Sequence, residues 1–235
     1  MAKVKDNVHV HDNIYLLSVE YNGICKMGQF FMLRCWELDP LLSRPISIFD
    51  YEDGELKFLY QVVGKGTEKL SRLVKGDEIT LHGPYGNGFP YLEKCEITLA
   101  GGGIGIAPLF YAGRELNRIN PNRKLNIFLG FREKSPLIDV FKEQFQNVIV
   151  DIGGVITDEI IYKKESVIYT CGPEVMMQKI CEEGMNSGAT VYASVEKRMA
   201  CGVGACLGCT CKTVNGNKRT CKDGPVFLGD EIIYG

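Results

Sequence analysis

Cys201, Cys206 and Cys209 lie in the run C-G-V-G-A-C-L-G-C, and Cys221 follows further on. The C-x4-C-x2-C spacing with a later fourth cysteine is the ligand pattern of a plant-type [2Fe–2S] loop. Chemistry at such a centre is the passage of single electrons. The spacing has a physical reason: four thiolates must converge on two irons, so three come from one short loop. The intervening Gly202, Gly204 and Gly208 permit positive φ and close backbone approach. Backbone N–H groups can then point at sulfur, which helps to set a cluster's potential. Downstream, Cys211–Val214 and Asn217–Cys221 flank Asn215-Gly216, a hairpin signal that folds Cys221 back toward the loop. Zinc is the rival metal, but it takes paired knuckles or Cys/His sets, and only one C-x2-C is evident unless Cys211 is recruited. Disulfides are the weaker alternative, because nothing marks the chain as secreted. Spacing alone leaves Cys211 and Cys221 in competition for the fourth place. On an extended strand Cys211 is displaced along the chain from a cluster-facing thiol, so the reading takes Cys221 and leaves Cys211 as a bystander.

Further residue groups suit phosphates and nucleotides. Gly101-Gly102-Gly103-Ile104-Gly105 lies where a strand hands over to a helix, so the backbone can approach a pyrophosphate at a helix start. It is not the G-x-G-x-x-G fingerprint, and a tight turn is the plainer reading of such a run. Arg44-Pro45-Ile46-Ser47 puts a guanidinium fork and a hydroxyl on one extended strand, a pair suited to a diphosphate and a ring heteroatom. Standing alone, that pair reads as a surface arginine and an ordinary serine. Gly64-Lys65-Gly66-Thr67 precedes a helical stretch, and Cys171-Gly172-Pro173 closes a buried strand before another helix. Carboxyl ends of strands in open α/β sheets are where ligands bind. His9, His11 and His82 form no ligand set, and no Ser-His-Asp, His-Glu-x-x-His or paired-carboxylate arrangement stands out.

The elements that must position these groups change character along the chain. Up to about residue 92 there are short runs such as Ile14–Glu20, Phe30–Cys35, Ile46–Phe49 and Leu56–Val63, separated by turn residues, which predict a small antiparallel barrel. From Glu96 to Val195 strand patterns alternate with helical ones, which predicts a doubly wound parallel sheet. The expected units are a β-barrel over 1–93, an α/β domain over 94–195 and a cysteine-bearing segment over 196–235. At 235 residues two modest domains each bury a core. Net charge is −2, with 27 basic and 29 acidic residues interspersed, which removes an electrostatic footprint for nucleic acid. No apolar leader opens the sequence and no window reaches the length of a membrane span. Ten cysteines without a secretion signal predict a reducing, cytoplasmic setting. Cys25, Cys35, Cys95, Cys171 and Cys181 are scattered and read as small buried hydrophobes.

R-P-I-S and G-K-G-T, then G-G-G-I-G-I-A-P and C-G-P, in this order resemble the ferredoxin–NADP reductase superfamily. Gly83-Pro84-Tyr85-Gly86-Asn87-Gly88-Phe89, Glu196–Cys206 and the tail Cys221-Lys222-Asp223-Gly224-Pro225-Val226-Phe227 are similar to the electron-transfer subunits of NAD-dependent dihydroorotate dehydrogenase. That resemblance covers nearly the whole chain. It implies an oxidoreductase subunit carrying FAD and a [2Fe–2S] cluster, with NAD as diffusible substrate and a role in pyrimidine biosynthesis. It further implies an FMN-containing catalytic partner that oxidises dihydroorotate itself, in a heterotetramer of two subunits of each kind. By the same resemblance Arg44, Pro45, Ile46 and Ser47, Leu59, Tyr60 and Gln61, and Gly66 and Thr67 contact FAD. Gly101, Gly102, Gly103 and Gly105 with Cys171, Gly172 and Pro173 face the nicotinamide nucleotide, and Cys201, Cys206, Cys209 and Cys221 hold the cluster. Many reductases place a tyrosine between the arginine and the serine, where this chain has Pro45-Ile46. No residue is assigned acid–base catalysis. The alternative is a related NAD(P)H reductase subunit, of a bifurcating transhydrogenase, sulfide dehydrogenase or hydrogenase, serving a different partner.

Overall fold

The computed structural model describes residues 1–93 and 96–234, so Cys95 and the expected boundary between residues 93 and 94 lie at or outside the described residues. The first unit is antiparallel: β1 (Ala2–His11), β2 (Ile14–Glu20), β3 (Phe30–Arg34), β4 (Arg44–Ser47), β5 (Asp50–Glu52), β6 (Glu55–Gln61) and β7 (Glu78–Tyr85), with α1 (Lys65–Ser71) between the last two. Their order in the sheet is β4-β3-β7-β1-β2-β6-β5. Alternation drives the curl. Phe31 and Leu33 on β3 and Phe58 on β6 are fully buried inside, while the residues between them turn outward or to a neighbour. The sheet stays open between β4 and the end of β6, because β5 covers only Glu55–Lys57. Pro45 is tolerated on β4 because that strand lies at the sheet's edge, where no further ladder needs its missing N–H.

The second unit contains β8 (Glu96–Gly102), α2 (Ala107–Ile119), β9 (Lys124–Phe131), α3 (Leu137–Gln144), β10 (Val148–Ile152), β11 (Val167–Cys171), α4 (Glu174–Ser187) and β12 (Thr190–Ser194). The sheet order β10-β9-β8-β11-β12 reverses direction at β8, so a crevice opens between the carboxyl ends of β8 and β11. One core joins the barrel interior to the face covered by α2 and α3. A second core lies under α4.

The third segment holds the expected hairpin, β13 (Thr210–Thr213) and β14 (Gly216–Arg219), and then β15 (Val226–Leu228). β15 pairs antiparallel with β12, so the sheet is parallel with one antiparallel edge strand. A three-residue strand carries no periodicity that a sequence reading can detect. Its partner, β12, supplies the reason it forms.

Candidate functional site

The cysteine loop turns through positive φ at Gly202 (72°) and Gly204 (80°), and at Leu207 (59°). Gly202 is also a close approach: a Cβ there would sit 2.9 Å from Met32 Cγ and 3.1 Å from the Tyr85 ring. The loop therefore lies directly on barrel strands β3 and β7. The four thiols come in two pairs. The Cys206 N–H points at Cys201 Sγ (3.5 Å), and the Cys221 N–H points at Cys209 Sγ (3.4 Å). The Gly208 N–H adds a third such contact, to Cys206 Sγ (3.5 Å). The Cys206 thiol itself bears on Cys201 and the Cys209 thiol on Cys221, and two such pairs suit a binuclear centre with two thiolates per iron.

The pairs differ in environment. Cys209 and Cys221 are buried against Phe30, Met32, Tyr85 and Met199. Cys206 is exposed and Cys201 half-buried. The N–H groups of Cys206 and Val203 pull the Cys201 thiol down to about 6, so it is ionised at neutral pH. Burial first, and the Cys209 thiol next, push Cys221 up to about 12, so a metal bound there would have to displace that proton. Cys211 enters a different core, among Ile180, Met177 and Phe227, and burial raises its thiol. Cys209 ends the turn that leads into β13 and packs on the barrel strands, whereas Cys211 lies within β13 and joins the core under α4.

The segment is clasped to the barrel by Asn87, which no sequence argument had assigned a role. Its Nδ2 donates to the carbonyls of Val226 (2.7 Å) and Asp223 (3.2 Å), and its Oδ1 accepts from the Val226 N–H (3.2 Å). Flanking glycines Gly86 and Gly88, both at positive φ, made a turn legible there. A partner far along the chain was not.

On the open side of the barrel, Arg44 is clamped. Its guanidinium lies 5.7 Å over the Trp36 ring, its Nη1 donates to the Leu42 carbonyl at 2.6 Å, and Gly66 approaches so closely that a Cβ would fall 2.4 Å from Arg44 Nε. Thr67 Oγ1 accepts from the N–H groups of Val63 and Gly64, which ties that turn together. Pro45, Ile46 and Ser47 continue along the β4 edge, half-buried. Leu59 and Tyr60 point into protein, and the Tyr60 hydroxyl donates to Asn7 Oδ1, so what these two offer the opening is main chain. Gln61 lines the cleft described next. An unpaired strand edge beside a fixed guanidinium fits an extended diphosphate-bearing flavin.

Gly101 and Cys171 are register partners on β8 and β11. Just beyond them the two turns touch backbone to backbone, since a Cβ on Gly105 would lie 2.4 Å from Gly172 Cα and one on Gly102 2.9 Å from Pro173. Gly103 lies beside them at φ 56° with open space before it. The crevice widens into a cleft of about 1550 Å³, which Gly102–Gly105, Gly172 and Pro173 line together with Gln61 of the barrel and Lys212 and Tyr234 of the cysteine segment. Cys171 itself is buried behind the cleft, which raises its thiol well above the ordinary value. The expected nucleotide residues are thus brought together at the switch point, and the cysteine segment supplies a wall that the sequence reading did not foresee.

Residues 196–233 match the family described as the iron–sulfur cluster binding domain of dihydroorotate dehydrogenase B. The chain is 43% identical over 241 residues to the electron transfer subunit of dihydroorotate dehydrogenase B (NAD(+)) from Clostridium acetobutylicum, covering 99% of this chain and 96% of the relative. It is 39% identical to the subunit of that name from Clostridium perfringens, covering 99% and 97%. Among solved structures, an NADH-dependent reduced ferredoxin–NADP oxidoreductase studied for flavin-based electron bifurcation superposes with a TM-score of 0.86 at 26% identity, covering all of this chain and 90% of that one. Phthalate dioxygenase reductase superposes at 0.71 with 13% identity over 91% of this chain and 86% of that one, a likeness of fold.

Proposed function

The chain belongs to the family of dihydroorotate dehydrogenase B electron-transfer subunits, which relay electrons to NAD in pyrimidine biosynthesis, and on that premise we propose how its own residues serve the relay. Bound FAD supplies an exchange of hydride with the nicotinamide and of single electrons with a [2Fe–2S] cluster, which passes them to and from the FMN of a catalytic subunit. The residues of this chain bind, orient and insulate. Arg44, held by Trp36 and Gly66, receives the flavin diphosphate, while the β4 edge at Pro45–Ser47 and the main chain of Leu59–Gln61 line its length. Thr67 holds the turn behind Gly66. Gly102, Gly103, Gly105 and Gly172 present backbone to the nucleotide beside Pro173, with Gly101 and Cys171 supporting the two turns from behind. Cys201 and Cys206, the more exposed pair, would hold one iron, and the buried Cys209 and Cys221 the other. No side chain is required as an acid or base, because dihydroorotate is oxidised on the partner. We propose two subunits of each kind in the assembly.

The observation that carries this reading is the pairing of the four thiols on the outer face of strands β3 and β7, next to the strand that bears Arg44–Ser47. Purification of the complex and titration with NADH and then with dihydroorotate, followed by absorption, tests it. Both reductants are expected to bleach the same flavin and iron–sulfur bands. A complex without flavin, or one in which dihydroorotate never reduces the bands that NADH reduces, overturns the reading.

A further inference from the structure

Between the thiol centre and the edge strand of the barrel there is one layer of protein, strand β3. Its residues Phe30 and Met32 are 3% and 2% exposed and form, with Tyr85, the floor under Cys209 and Cys221. In the antiparallel pairing of β3 with β4, Phe30 lies opposite Ser47 and Met32 opposite Pro45. Directly opposed residues put their side chains on the same face, about 4.5–5.5 Å apart at Cβ, and adjacent strands lie about 4.8 Å apart. The contact from the inner thiols to the β4 residues proposed for the flavin therefore passes through two side chains. Met32 is the more central of them, because Gly202 of the loop lies against its Cγ, 2.9 Å from where a Cβ would be. Cys209 and Cys221 above this floor are themselves only 2% exposed.

We infer that Met32, backed by Phe30, sets the one-electron potential of the thiol centre by keeping its inner half dry. The inference rests on the iron–sulfur and flavin reading above. Reduction adds one negative charge to the centre. A low-dielectric floor disfavours the added charge, so it holds the potential down, and solvent or a polar group beside the sulfurs raises it. Met32 touches the ligands rather than the irons, so its role is one of positioning and insulation. Its apolar side chain fills the space beneath Gly202, and an apolar residue of similar volume fills it as well.

The test is potentiometric reduction of the purified complex with dithionite and mediators, with the cluster followed by electron paramagnetic resonance and iron and labile sulfide assayed in parallel. Met32→Gln, nearly isosteric but polar, is expected to raise the reduced-to-oxidised ratio at a fixed applied potential about tenfold, about 59 mV for one electron. Met32→Leu, which keeps the floor apolar, is expected to stay within about twofold of the parent protein by the same arithmetic. Met32→Ala decides the matter where Met32→Gln fails to retain iron, and its opened floor is expected to shift the ratio in the same direction. Parent-like ratios in both Gln and Ala variants with intact clusters overturn the inference, as does a Leu variant that shifts as far as Gln. Loss of iron in both also overturns it, since Met32 is then a structural support. A parent protein without an iron–sulfur signal would instead defeat the cofactor reading itself.

Discussion

Where the cysteine segment meets the barrel, backbone lies against side chain with nothing between: Gly202 on Met32, Gly86 on Pro225, and Asn87 bonded to Val226 on both its amide atoms. Where the nucleotide domain meets the barrel, the contact is a stacked pair and a set of charges. Phe49 and Phe110 stack at 4.4 Å, and Arg114 of α2 reaches Asp50 at 2.5 Å and Glu52 at 2.6 Å. Beside that second seam the large cleft remains open. The difference matches what each seam has to do. A relay centre works at one fixed, dry separation, whereas a diffusible nucleotide must enter and leave. The first seam is therefore packed tightly beneath the thiols, where Gly202 meets Met32, and the second is held at one place and open at another.

Four expectations break or sharpen this contrast. The largest effect belongs to the closed seam. Cys221→Ser removes half of the inner pair, and iron and labile sulfide per chain are expected to fall to a small fraction of the parent value. An intact cluster in that variant would return the fourth place to Cys211.

The charged seam comes next. Arg114→Ala strands the Asp50 carboxylate, whose side chain is 5% exposed and whose Oδ1 has no hydrogen-bond partner, at a cost of about 3–5 kcal/mol in unfolding free energy. Burial already raises the Asp50 carboxyl, with Arg114 as the main opposing influence. Removing the cation raises it further above the unfolded value of 3.8. The neutral form is then favoured in the fold, so the penalty is present at neutral pH and is relieved as pH falls through the folded value. Chemical denaturation at pH 7 and at mildly acidic pH should therefore show the deficit shrinking on acidification. A deficit that is constant or grows contradicts the assignment.

Asn87→Ala is smaller. Three hydrogen bonds of about 0.5–1.5 kcal/mol each are lost, for a total of about 2 kcal/mol. A chain of this size should melt about 4–8 °C lower by calorimetry. The loss should appear in the cysteine segment's hydrogen exchange before it appears in the α/β domain. Cys211→Ser is the smallest effect. Its thiol lies in the α4 core, so iron content should match the parent, and the cost is the burial of one hydroxyl, measurable as a modest shift in denaturation midpoint.

Local patterns carried the reading wherever the physics is local. The helix after Gly105, the strand expected over Leu125–Gly130 and the Asn215-Gly216 hairpin follow from periodicity and turn chemistry, and each forms there, the strand one residue longer at each end. β5, three residues long, and β15 escaped notice because a short strand is stabilised by its partner and not by its own residues. The same limit governed the site. Gly202 and Gly105 were legible as glycines that a close approach would need. What approaches them, Met32 in one case and Gly172 in the other, was not. Asn87, Met32 and Arg114 carry ordinary residue types in ordinary surroundings, and each acquires its role from a partner more than 60 residues away.

The amino-acid sequence by itself determined the spacing of three thiols in one loop, the order of the antiparallel, α/β and cysteine segments, and the family they belong to. These properties are written in neighbouring residues and in their succession. Only the tertiary structure decided which core receives Cys211 and which receives Cys221, and which barrel side chains form the floor beneath the inner pair. Cys209 and Cys211 stand two residues apart, yet they end in different cores, because the turn residue Cys209 meets β3 and β7 of the barrel and the strand residue Cys211 meets the core under α4. Which core a side chain joins depends on surfaces brought together from distant parts of the chain, and the spacing of two cysteines does not encode that encounter.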